Sequence, residues 1–204
     1  MVSSKWIYKR KHAADGSIEK YKAIFVARCF SQKEGIDYEE KFAPVARHTS
    51  IRAIMALASM MKWNLHKMDV KTTFMNGVIE EEVYIKQPQG FKVKDIVTHV
   101  CKLKNDLYGL KQAPRAWHGR IDRFLTNLGF TKSKSNPNLY MKVRDDEPVI
   151  LLLYVDDLFL TRNEKHIADC KKKLAQEFEM KDLGLMHYFF GLEVWQSPEG
   201  IFLN

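Results

Sequence analysis

At 204 residues the chain is long enough for one sizeable domain, or one domain with a small lobe attached. Hydrophobic residues at 46% and charged residues at 28% exclude collagen-like, low-complexity and disordered classes. Thirty-three Lys and Arg against twenty-five Asp and Glu leave a charge of +8, which suits a polyanionic partner, although basic runs such as Lys5 to Lys11, Lys132 to Lys134 and Lys171 to Lys173 also suit solvated surface.

Trp6 to Lys11 alternates weakly and leads to Asp15-Gly16, a turn signal, after which Ile18 to Phe30 carries Ile24, Phe25, Val26 and Ala27. This predicts a basic β-hairpin lobe. Ser31 to Pro44 reads as a polar loop. Thr49 or Ser50 is the expected cap of a helix through Ile51, Ile54, Met55, Ala58 and Met61 that ends at Asn64. Leu65 to Val70 predicts a short strand with Leu65, Lys67 and Asp69 on one face, and Val83 to Ile85 and His99 to Leu103 predict two more. Pro114 opens a helix through Trp117, Ile121, Phe124, Leu125 and Leu128, and Gly129 closes it. Leu139 to Val143 pairs with Val149 to Val155 across Asp145 to Pro148. Asn163 caps a further helix through Ile167, Cys170, Leu174 and Phe178, Gly184 breaks the chain, and Met186 to Val194 and Ile201 to Leu203 are closing strands. The expected class is α+β: an antiparallel sheet with helices packed on one face.

Cys29, Cys101 and Cys170 are odd in number and far apart, without CxxC or Cys/His pairing, which argues against a disulfide framework or zinc site and for a reducing compartment. The longest apolar run falls short of the roughly 18 residues of a membrane span, and the N-terminus has no signal-peptide core. The expectation is a soluble, intracellular, cytoplasmic protein.

The run Val149-Ile150-Leu151-Leu152-Leu153-Tyr154-Val155 is apolar enough for a strand buried on both faces, and Asp156-Asp157 follows it before Leu158 to Thr161 resumes the pattern. Strand, tight turn, strand is the reading, with both carboxylates at the tip. Two uses stay open. The tip is solvated, or the repelling carboxylates are offset by a proton, a basic side chain or a divalent cation. If Asp69, at the exit of its strand, converges on the pair, three carboxylates suit a hard cation such as Mg²⁺, and two such ions can clamp an in-line phosphoryl displacement.

The stretches His66-Lys67-Met68-Asp69-Val70-Lys71-Thr72-Thr73-Phe74, Leu107-Tyr108-Gly109-Leu110-Lys111-Gln112-Ala113-Pro114-Arg115-Ala116-Trp117 and Tyr154-Val155-Asp156-Asp157 resemble the reverse transcriptase of copia-type LTR retrotransposons. The likeness also takes in Lys33 to Glu40 and Phe190-Gly191-Leu192-Glu193-Val194, so it covers nearly the whole chain. It implies an RNA-directed DNA polymerase with a right-hand fold: fingers at about 1–50 and 75–105, palm at 51–74 and 106–185, and a primer-grip hairpin at 186–204. It implies that Asp69, Asp156, Asp157 and the Val70 carbonyl bind two Mg²⁺, with Mn²⁺ as a substitute, while a primer 3′-hydroxyl attacks a dNTP and releases pyrophosphate. Phe74 matches the aromatic that rejects a 2′-hydroxyl. Gly109, Lys111 and Pro114 match the segment that shapes the floor under the template and the incoming nucleotide, Lys22 and Arg28 are expected to contact the dNTP, and Phe190, Gly191 and Leu192 match the primer grip. Lys181 lies near the place of a proton donor for pyrophosphate. The implied partners are an RNA or DNA template with its primer, and dNTPs.

The family shows an Arg where this chain has Ile24 and a Gly where it has Cys29, which implies weakened triphosphate binding unless Lys22 and Arg28 compensate. Family elements also carry capsid, protease, integrase and ribonuclease H in one polyprotein, working in a virus-like particle. None of these is visible here, and the chain stops shortly after the primer-grip match with the polymerase thumb largely absent, so a fragment is expected. The rival readings are a catalytically silent remnant that retains nucleic-acid binding, and a template-independent nucleotidyl transferase or phosphodiesterase using the same acids.

Overall fold

The computed structural model describes residues 1–13, 15–93, 99–189 and 191–204. Its elements in chain order are β1 (Ser4–His12), β2 (Ile18–Ala27), α1 (His48–Met61), β3 (Leu65–Val70), β4 (Tyr84–Lys86), β5 (Val100–Lys102), α2 (Ala113–Asn127), β6 (Thr131–Lys132), β7 (Leu139–Arg144), β8 (Glu147–Tyr154), β9 (Asp157–Arg162), α3 (Glu164–Glu177), β10 (Met180–Leu185), β11 (Tyr188–Phe189), β12 (Leu192–Ser197) and β13 (Gly200–Leu203). They fall into two units, Met1–Ala43 with Phe74–Arg120, and Pro44–Thr73 with Ile121–Asn204.

In the first unit β1 and β2 form the expected antiparallel hairpin, with Trp6 opposite Phe25, Ile7 opposite Ile24 and Lys9 opposite Lys22. Opposed residues share a face of a strand pair. One face of the ribbon therefore collects Trp6, Tyr8, Tyr21 and Phe25, and the other Lys5, Lys9, Lys11, Lys20 and Lys22 around Ile7 and Ile24. Strands β4 and β5 pair antiparallel, and Val2, Ala27, Val83, Ile85, Leu107, Leu110 and Ala113 form the buried core.

In the second unit six strands run antiparallel in the order β10-β3-β9-β8-β7-β6. Val149, Ile150, Leu151, Leu152 and Leu153 of β8 are all buried, as a strand covered on both faces requires. The expectation of helices on one face is corrected here. Ile51, Met55 and Ala58 of α1 share a core with Leu65, Leu152 and Phe159, whereas α3 lies over His66 and Met68, which alternate with Leu65 and point the other way. A second small sheet, β11-β12-β13, adds Phe189 and Val194 to the α1 core.

Local signals fare unevenly. Asn163 caps α3 by accepting a hydrogen bond from the His166 N–H at 3.0 Å, and Gly129, at φ 87°, follows the last turn of α2 as expected. Neither Thr49 nor Ser50 caps α1. The helix starts at His48 with the Arg47 carbonyl taking its first bonds, and it ends at Lys62 in the left-handed region, where Trp63 N–H reaches the Ala58 carbonyl at 2.8 Å. Gly184 does not break the chain: at φ 69° it sits in a register shift inside β10, an edge strand absent from the sequence reading. The strand expected over Met186 to Val194 is divided into β11 and β12.

Candidate active site

The β8–β9 turn differs from the expected one in a way that matters. Tyr154 and Asp157 are paired, so the two turn residues are Val155 and Asp156, and Asp157 is the first residue of β9 rather than part of the tip. Val155 has φ 53°, a region that β-branched residues seldom enter, so this turn is strained by its own side chain. Asp156 is exposed and Asp157 half-buried.

Strand β3 lies beside β9 with Asp69 directly opposite Asp157. The Val70 N–H donates to the Asp156 carbonyl at 2.8 Å, which extends the pairing one step past the end of β9 and locks the turn onto β3. Directly opposed Cβ atoms in an antiparallel pair are about 4.5–5.5 Å apart, so two of the three acids are neighbours and the third is the adjacent residue. Lys181 of β10 flanks Asp69 from the other side and is exposed. The Val70 carbonyl accepts a hydrogen bond from Thr73 Oγ1 at 2.8 Å, which leaves it a second lone pair.

Burial pushes the Asp157 carboxyl above its usual range, and the charges of Asp156 and Asp69 push the same way. Lys67 opposes them. Its Nζ lies 2.8 Å from Asp157 Oδ2, with only 17% and 20% of the two side chains exposed. Strand periodicity places Lys67 on the face of Asp69, but nothing in the sequence alone marks it as a partner of Asp157. Among the described residues no group of three or more His, Cys, Asp and Glu side chains is preformed around a metal position. The donor chemistry nevertheless fits one: carboxylates and a carbonyl are the all-oxygen set that Mg²⁺ or Mn²⁺ takes, and Lys67 already shows that Asp157 is held by a cation.

The residues matched to nucleotide contacts belong to the first unit. Phe74 packs edge-on against Tyr108, ring centroids 5.0 Å apart, at the margin of the core. Gly109 has φ 90°, and a Cβ there would come 2.1 Å from the Ala27 carbonyl oxygen, so its backbone conformation and its close approach to the end of β2 both require glycine. Lys111 is engaged: its Nζ lies 3.0 Å from the Tyr38 hydroxyl and 4.6 Å from the ring centroid, and this hydrogen bond raises its pKa. Below it runs a buried amide chain not foreseen in the sequence. Gln32 Nε2 donates to Gln112 Oε1 at 2.9 Å, Gln112 Nε2 donates to the Asp37 carbonyl at 2.9 Å, and the Lys111 N–H donates to Gln32 Oε1 at 2.8 Å. Lys22 and Arg28 are exposed, and Trp6 stacks near Tyr8, Phe25 and Phe91, with centroids 6.4, 5.1 and 5.9 Å away.

Of the primer-grip matches, Phe190 lies outside the described residues. Gly191 turns the chain at φ 79° and Leu192 opens β12 with 43% exposure. The three cysteines are free, and burial pushes the Cys170 thiol up to about 12. Among the described residues no helix is long and apolar enough to cross a membrane.

A family model described as "Reverse transcriptase (RNA-dependent DNA polymerase)" matches residues 1–204. The Retrovirus-related Pol polyprotein from transposon RE1 of Arabidopsis thaliana is 40% identical over 205 residues, covering 100% of this chain and 14% of that polyprotein. The corresponding polyprotein from transposon TNT 1-94 of Nicotiana tabacum is 43% identical over 195 residues, 95% of this chain and 15% of the relative. The Transposon Ty1-BR Gag-Pol polyprotein of Saccharomyces cerevisiae is 26% identical over 205 residues, 95% and 11% of the two chains. This chain thus spans about a seventh of the length of the plant relatives.

Proposed function

The chain belongs to the reverse transcriptase (RNA-dependent DNA polymerase) family, in its copia-type retrotransposon branch, and from that premise we propose that it adds dNTPs to the 3′-hydroxyl of a primer under the direction of an RNA or DNA template. The observation that carries the reading is the Asp69–Asp157 pairing, with Asp156 tied to Val70 at the same strand ends. On this reading the second unit carries most of the palm, and the first carries the fingers together with residues 106–120, which the family likeness assigns to the palm. The hairpin of β12 and β13 with Gly191 and Leu192 is the primer grip, and the remainder of a Pol polyprotein supplies further partners.

Asp69, Asp156, Asp157 and the Val70 carbonyl would hold Mg²⁺ or Mn²⁺, which when bound supplies a Lewis acid that lowers the pKa of the attacking hydroxyl and neutralises phosphate charge. The protein's own contribution is placement. Two rigid antiparallel strands set the acids at their common end, and the Val70-to-Asp156 hydrogen bond keeps the turn from swinging away. Lys181, opposite Asp69, is the candidate to protonate the departing pyrophosphate.

Primer extension on an RNA template with Mg²⁺, run beside Asp156→Asn, tests the assignment. Extension by the parent chain that falls to background in the variant is the expected result. No extension by the parent would favour a silent remnant that only binds nucleic acid, and turnover without a template would favour the template-independent transferase.

A further inference from the structure

The cation already present among the acids is Lys67. It stands two residues before Asp69 on the same face of β3, opposite Phe159 of β9, and reaches along the sheet to Asp157 with its ammonium 5.9 Å from the Phe159 ring centroid. Phe159 is 4% exposed, so the lysine stem runs over an apolar floor and the head has little solvent to turn to. A lysine held this way is a resident counter-charge for a carboxylate crowded by two others.

We propose that Lys67 is a positioning residue that keeps Asp157 in an ion pair and competes with the divalent cation for it, so that the metal requirement of this site is set by a lysine as much as by the aspartates. The inference rests on the metal-binding reading of Asp69, Asp156 and Asp157. The physical reason is that Asp157 Oδ2 cannot stay 2.8 Å from an ammonium and also face a divalent ion without setting two cations side by side. Either the lysine head leaves, or the ion is held by Asp69 and Asp156 with Asp157 contributing only its charge. Both routes weaken binding relative to a site without the lysine.

Mn²⁺ binding to the full chain, followed by the electron paramagnetic resonance signal of the free ion, separates the cases without any need for activity. Lys67→Gln should bind Mn²⁺ about tenfold or more tightly than the parent, whereas Lys67→Arg, which keeps the charge, should not. Thermal unfolding gives a second readout. In EDTA Lys67→Gln should melt below the parent, because Asp157 is left unpaired, and saturating Mn²⁺ should raise its melting temperature by more than it raises the parent's. Unchanged or weaker Mn²⁺ binding in Lys67→Gln, with binding abolished in Asp69→Asn, would overturn the lysine's role and leave the metal site standing. Parent-level Mn²⁺ binding in Asp69→Asn and Asp156→Asn alike would overturn the metal reading and this inference with it.

Discussion

Asp106 should make the stability of this protein fall as pH rises through neutrality. It is 1% exposed in the first unit, and among the described residues neither carboxylate oxygen has a hydrogen-bond partner. It fits closely under Gly77, where a Cβ would lie 2.6 Å from Oδ2. Burial, and then the charge of Glu81, raises its pKa from 3.8 to about 7. The folded state therefore holds the proton more tightly than the unfolded chain. The resulting stability is fully present below pH 3.8, declines above it, and is exhausted once the pH has passed about 7. At 1.36 kcal/mol per unit the whole shift is worth about 4 kcal/mol, of which roughly 2–3 kcal/mol disappears between about pH 5 and pH 8. Urea unfolding of the parent and of Asp106→Ala at those two pH values isolates the effect, since every other titrating group is common to both proteins. The variant should show a much flatter pH dependence and be the more stable of the two at pH 8, because it no longer buries an unpaired charge. Parallel pH profiles for parent and variant would refute the reasoning. They would mean that water or a shift of backbone satisfies the carboxylate.

Gly109→Ala should destabilise the chain by at least about 2 kcal/mol, combining a non-glycine residue in the left-handed region with a backbone collision at Ala27, and a urea midpoint equal to the parent's would show that this loop can simply move away. Ile24→Arg places a guanidinium on the lysine face of the β1–β2 ribbon between Lys22 and Val26. It should lower the KM for dNTP by roughly 10- to 100-fold through a charge-assisted phosphate contact, and steady-state incorporation with equal KM values would count against that role for the position.

Much of this architecture is legible in the residues themselves, wherever the cause is local. Asp15-Gly16 specifies the first hairpin, and Asn163 caps α3 with its own side chain. The unbroken apolar run of β8 could be read as a strand covered on both faces because hydrophobicity with no polar alternation leaves no face for water. The three aspartates could be picked out individually and, through the family likeness, as a group. Their arrangement could not. Asp157 entered the strand rather than the turn because the pairing of Tyr154 with Asp157 sets the hairpin register, and that register is decided by which side chains of β8 and β9 are buried across the sheet. The bulge at Gly184, the early start of α1 and the covering of both sheet faces likewise follow from packing among distant segments. Lys67 and Asp106 make the contrast plainest. Neither a lysine within a strand nor an aspartate before an apolar turn stands out in one dimension. Only the tertiary structure pairs the first with Asp157 and leaves the carboxylate of the second without a hydrogen-bond partner among the described residues, because desolvation and charge contact depend on neighbours that the chain brings together by folding.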